Sequence, residues 1–102
     1  MGRATQEEIH TAEDVFGIVS QKVSDDLRQK FGFESKEGVV VTHIEPSSAA
    51  ERAKLRAGDV IRSINTKVIR DPSHLNQMLK SGKSHILQVE RERVYYFVRI
   101  TR

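Results

Sequence analysis

Apolar and polar positions alternate with period two over residues 15–23, which predicts a first strand. Val15, Val19 and Val23 share one face with Gly17, and Phe16, Ile18, Ser20 and Lys22 share the other. The period then changes. Ser24 is a helix N-cap, Asp25 and Asp26 suit the positive first turn, Leu27 and Phe31 fall on one face, and Gly32 stops the helix. Residues 38–44 (Gly38 to Ile44) predict a second strand, buried on both faces for part of its length. Pro46 ends that strand, and Ser48-Ala49-Ala50-Glu51 has the spacing of a capping box. With Ala53, these alanines make a slim helix that can lie close to a sheet. Leu55 to Asp59 read as a turn, residues 60–64 as a strand, Asn65-Thr66 as a turn and Val68-Ile69 as a short strand. Asp71-Pro72 opens the last helix, with Leu75, Met78 and Leu79 at helical spacing and Gly82 beyond its end. Residues 85–90 and 94–100 are closing strands joined by a charged hairpin. In the second of them, Val94, Tyr96, Val98 and Ile100 alternate with Tyr95, Phe97 and Arg99.

The order β-α-β-α-β-β-α-β-β is mainly β, with two to three helices too short for a doubly wound sheet. It implies a partly open barrel or sandwich capped by helices. At 102 residues the chain has room for one domain. Residues 1–14 are polar, with Ile9 the one aliphatic side chain larger than Ala, and read as a linker or tail before a domain at 15–102.

Composition removes several chemistries. Cysteine is absent, which excludes disulfides, thiolate metal sites and a cysteine nucleophile. His10, His43, His74 and His85 lack close metal-ligand spacing, no Gly-x-Ser-x-Gly elbow surrounds a serine, and no glycine loop suits a phosphate. The reading is therefore a non-catalytic chain with neither metal nor cofactor. The 17 Lys and Arg are interleaved with 14 Asp and Glu, as in Glu90-Arg91-Glu92-Arg93, so the charge is a solvated mixed surface and not a nucleic-acid face. The longest aliphatic run is Val39-Val40-Val41, far short of a bilayer span, so direct membrane insertion is not expected.

Gly38-Val39-Val40-Val41, then Glu45-Pro46-Ser47-Ser48-Ala49-Ala50, then Leu55-Arg56-Ala57-Gly58-Asp59-Val60-Ile61, then Ile64-Asn65, together resemble a PDZ domain. The strand order resembles the circularly permuted bacterial type, and within it the carboxy-terminal PDZ domain of a Do-like (HtrA) periplasmic serine protease. The resemblance implies a PDZ-like, partly open sheet that binds peptide carboxyl termini by strand addition. It implies a carboxylate loop at Val15, Phe16, Gly17 and Ile18, with Phe16 and Ile18 facing the pocket for the last side chain. Ser20 and Lys22 would flank the added strand, and His74 and Met78 would form the opposite wall. Peptides or unfolded proteins with apolar carboxyl termini, and a protease domain in the same parent chain, are the implied partners, in a periplasmic parent. A PDZ module of a non-protease envelope or scaffold protein, or of a tail-specific or intramembrane protease, is the alternative. Four places depart from the family pattern: Lys54 and Asn65-Thr66 stand where glycine is common, Glu90 to Arg93 form a hairpin without glycine, and Glu13 and Asp14 precede the carboxylate loop.

Overall fold

The computed structural model describes residues 16–102; the expected linker at 1–14 and Val15 lie outside the described residues. Six strands and three helices follow one another as β1 (Ile18–Lys22), α1 (Asp25–Phe31), β2 (Val39–Ile44), α2 (Ala49–Arg52), β3 (Val60–Ile64), β4 (Lys67–Val68), α3 (Pro72–Lys80), β5 (Ser84–Arg91) and β6 (Val94–Thr101). The sheet runs β1-β2-β3-β5-β6, with β4 paired to β3, and all these pairings are antiparallel. Among the described residues it does not close: β1 and β6 end the path, and β4 pairs with β3 alone.

Capping chemistry sets the helix starts. Ser24 Oγ accepts from Leu27 N–H, Ser48 Oγ from Glu51 N–H, and Asp71 Oδ1 from His74 N–H. Each bond satisfies one of the amide donors that a helix leaves unpaired at its start. The capping box is displaced by one residue, because the Glu51 carboxylate takes the amide of Ser47, 2.6 Å away, and not that of Ser48. Gly32 closes α1 with φ +79 and donates to Arg28 O.

Burial follows the alternation of the strands. The three valines of β2 are fully buried, Val39 and Val41 in the main core and Val40 in a second cluster on the other face. The main core brings Phe16, Ile18, Ile61, Leu75, Leu79 and Leu87 together with the alanines of α2. The second cluster holds Phe33, Val40 and Val60, covered by Val23, Leu27 and Phe31 from the end of β1 and from α1.

Three turns depart from sequence expectation in an instructive way. Lys54, Asn65-Thr66 and Glu92-Arg93 all take positive φ, between 51 and 73°, without glycine. Residues 65–66 and 92–93 join β3 to β4 and β5 to β6 through two-residue turns with both φ values positive, the hand that matches strand twist. The predicted short strand Val68-Ile69 shifts back by one residue. Ile69 leaves the ladder to enter the core, and its N–H donates to Arg62 O.

Candidate functional site

The first strand is shorter than its alternation suggests. Gly17 has φ +85, which ends extended geometry, so pairing with β2 starts at Ile18. A Cβ at Gly17 would stand 2.3 Å from Ser48 Cβ and 2.6 Å from Ser48 Oγ. Glycine is therefore required by the close approach of the α2 N-cap. Phe16 and Ile18 are each 1% exposed and lie in the main core; Val15 is outside the described residues.

Two hydrogen bonds orient this turn. Phe16 O accepts from Ala50 N–H (3.0 Å) and Gly17 O accepts from Glu45 N–H (2.9 Å). Across a planar trans peptide, N–H points opposite to C=O. The amides of Gly17 and Ile18 are consequently aimed away from α2 and β2, side by side. Successive amides with this aim form a concavity suited to an anion. The same alternation continues along β1. Val23 N–H donates to Gly38 O, so the backbone groups of Ser20 and Lys22 face the open edge as those of Ile18 do. A bulge opposite Val19 and Ser20, where Thr42 Oγ1 donates to Val19 O, keeps that alternation in phase with the two ends.

Helix α3 lies along this edge and runs antiparallel to it. Its last turn reaches the loop: His85 is buried, its ring meets Phe16 edge-on at 5.7 Å, and its Nε2 contacts Leu79 O and Gly82 O, both at 3.1 Å. Asn65 Oδ1 accepts from Ile86 N–H, so the Asn65 amide nitrogen is the donor to His85 Nδ1 at 2.8 Å. The ring is thus the neutral tautomer with hydrogen on Nε2, donating to the carbonyls at the end of α3. The first turn of α3 lies by Lys22. Asp71 is held below its ordinary carboxyl value first by the His74 amide, then by the Ser73 hydroxyl, with the His74 and Lys22 charges adding to both. Leu75 and Leu79 face the core as expected, while His74 and Met78 are half-buried at the flank of that face, Met78 packed against the core.

Buried charges hold the frame behind the edge. Asp59 is buried and receives two parallel bonds from Arg91, each 2.8 Å, and one from Arg56 N–H; Arg91 also donates to Lys54 O. This bidentate pair ties the turn before β3 to the end of β5. Glu90, also buried, accepts from the amides of Glu34 and Ser35 and from the Ser35 hydroxyl. Burial opposes its charge most, but the Ser35 hydroxyl, the two amides and Arg62 outweigh burial and hold the carboxyl below its usual range. Sequence reading placed Asp59 and Asn65 in turns and Glu90 and Arg91 in a charged hairpin, and gave none of them, nor His85, a side-chain partner. The one signal in the sequence was a run of charge in a strand whose other members are apolar.

A family model described as a PDZ domain matches residues 40–91. A probable periplasmic DegP-like serine endoprotease of Pseudomonas fluorescens is 38% identical over 79 residues, which cover 74% of this chain and 17% of that protein. Its counterpart in Pseudomonas fulva is 37% identical over the same length, covering 16% of the relative. The chain thus spans about a sixth of the length of the curated relatives it matches. Among solved structures, the HtrA3 PDZ domain bound to a phage-derived ligand (FGRWV) superposes with a TM-score of 0.75 at 23% identity, over 84% of this chain and 81% of that one. The HtrA-type protease AlgW with a decapeptide gives 0.73 at 22% identity, over 84% of this chain and 27% of that one. Three helices on an open antiparallel sheet agree with these matches: the chain belongs to the PDZ-domain family, and its relatives are probable DegP-like periplasmic serine endoproteases.

Proposed function

We propose that this domain binds the carboxy-terminal segment of a peptide as an added strand on β1, and serves a periplasmic serine endopeptidase as its substrate-recognition or regulatory module. The observation that carries the reading is the pair of outward amides at Gly17 and Ile18, continued by the open backbone groups of Ser20 and Lys22. A terminal carboxylate accepts from the two amides, and the peptide runs antiparallel to β1, from the Lys22 end toward Gly17. Its last side chain lies over Phe16 and Ile18. Both are covered, so Met78 is the wall that yields; an unbranched thioether repacks at little cost. His74 faces the residues upstream. The isolated chain binds and does not cleave, since catalysis belongs to another domain of the parent.

A titration with a peptide ending in valine, as free acid and as carboxamide, tests this by amide chemical shifts. Binding of the acid at roughly micromolar affinity or weaker, about −5 to −8 kcal/mol, is expected, with the largest shifts at Gly17 and Ile18. The carboxamide should bind more weakly, and Met78→Lys should weaken the acid. Equal binding of acid and carboxamide, or shifts confined to residues 95–99, would remove the proposed site.

A further inference from the structure

The opposite edge of the sheet carries a second interaction surface. Strand β6 pairs with β5 through eight consecutive positions without a bulge, and it contains no proline. Val94 and Tyr95 are each 51% exposed, Tyr96 44% and Phe97 75%. A long, regular, apolar edge strand is a template for another strand, and proteins ordinarily blunt such edges with charges, prolines or bulges. Here Arg99 is the one charge in the strand.

Backbone geometry restricts what can pair with it. The two-residue turn sets Arg91 opposite Val94, and Arg102 N–H donates to Lys83 O, so even-numbered residues of β6 direct their backbone groups to β5. The outward groups belong to Tyr95, Phe97, Arg99 and Thr101. For two copies related by a two-fold axis across this edge, outward residues must face outward residues. Among the registers this leaves, centring on Phe97 sets Phe97 against its own copy on the axis and Tyr95 opposite Arg99 of the second copy. Sliding in one direction pairs Tyr95 with Phe97 and carries Arg99 past Val94, where the second β6 begins. Sliding in the other pairs Phe97 with Arg99 and leaves Tyr95 facing Thr101. The centred register alone therefore combines an aromatic pair, on the axis, with a cation–aromatic pair that symmetry repeats.

We propose that β6 is the interface of a homodimer, formed by antiparallel pairing of β6 with β6 of a second copy about Phe97. The contact closes on itself and leaves β1 of each copy as the end strand of the joined sheet. It does not depend on peptide binding.

Sedimentation velocity of the 102-residue chain over a concentration series tests the proposal, with hydrogen exchange at both ends of the series. A monomer–dimer equilibrium is expected. The amides of Tyr95, Phe97 and Arg99 gain protection in step with the dimer, whereas Tyr96 and Val98 are protected throughout by β5. Phe97→Glu sets like charges on the axis and should raise the dissociation constant by about a hundredfold. Because Phe97 is exposed, the dilute variant should melt with the parent protein. Arg99→Glu should weaken the dimer by about two- to fivefold, because Tyr95 of the second copy loses the cation opposite it. A monomer at every concentration, leaving β6 to some other partner, overturns the proposal. So does a dimer that survives Phe97→Glu, an open-ended series of larger species, or protection appearing at Ile18 and Ser20 instead.

Discussion

The two edges of one sheet differ in nearly every respect that governs strand addition. β1 is five residues long, set against a bulge in β2, flanked by α3 and ended by Lys22. β6 is eight residues long, regular and apolar on both faces near the hairpin. A short, irregular edge offers few backbone bonds, so a partner there has to win its affinity from a defined end, the paired amides at Gly17 and Ile18. A long regular edge offers many bonds without a defined end, so specificity has to come from register. The difference teaches that exposure alone does not mark a peptide groove: the more exposed edge is the one without an anion-binding turn.

The largest effect that would sharpen this contrast is on stability. Leu79→Ala removes the floor under α3 and should cost about 2–5 kcal/mol in denaturant melts. Phe97→Ala in dilute protein should stay within about 0.5 kcal/mol, because its side chain stands in water. Comparable losses at both positions would mean that β6 is a core element and the comparison is wrong.

Next comes the turn that gives β1 its defined end. Gly17→Ala places a Cβ against Ser48 at an unfavourable φ and should cost about 1–3 kcal/mol. Ser48→Gly removes the obstructing side chain while keeping an acceptable N-cap residue, so the double variant should recover part of the loss. Additive losses in thermal melts would show that backbone strain alone dominates.

Behind β6, the buried carboxylate of Glu90 predicts a pH dependence. Its carboxyl is held below the ordinary value of 4.5, so the folded protein binds fewer protons than the unfolded chain near that pH. The stability it contributes is complete above 4.5 and is lost as pH falls through the lower folded value. Glu90→Gln should therefore be less stable than the parent at neutral pH, with the gap narrowing in acid. Parallel stability curves across that range would contradict the assigned network.

The smallest effect concerns charge at the far end of the groove. A cavity of about 240 Å³ opens there, lined by Lys22, Val23, Lys36, Glu37, Gly38 and Arg70. Three cations face one carboxylate. A peptide with Asp or Glu at the position facing Lys22 should bind about two- to fivefold tighter than one with Lys, and the preference should fade with salt. Lys22→Glu should invert it, as isothermal titration would show.

Much of this was legible in the sequence. The helices begin at Ser24, Ser48 and Asp71 because each supplies an acceptor followed by an apolar stripe, and these are local facts. The buried triplet Val39 to Val41 announced a central strand by having no polar face. Leu75, Met78 and Leu79 stand at helical spacing, and the core contains both leucines with Met78 packed against it. What stayed hidden depends on partners distant in sequence. The atom that a Cβ at Gly17 would meet belongs to Ser48, thirty-one positions away. Positive φ at Glu92 and Arg93 is imposed by the strands they connect, against the preference of both residues. The bulge lies in β2, which spends one extra residue, Thr42, against Val19 and Ser20. Alternation in β6 did not show that aromatic side chains stand in water on both sides of the sheet. Of the site itself, the carboxylate loop and edge at Gly17 to Lys22 and the wall at His74 and Met78 both await the titration.

The hairpin at Glu92-Arg93 has a bearing on how the molecule is made. Closing β5 onto β6 fixes a loop of two residues, so the first cross-strand bonds cost little chain entropy, and each further pair adds without lengthening the loop. The joining of β1 to β2 has to enclose α1, and that of β3 to β5 has to enclose α3. A chain emerging from synthesis thus completes its longest hairpin ladder after the other strands of the domain, and β5 and β6 bring the most apolar edge of the sheet with them. Until β5 settles against β3, that hairpin is the part of the nascent domain most exposed to unwanted association.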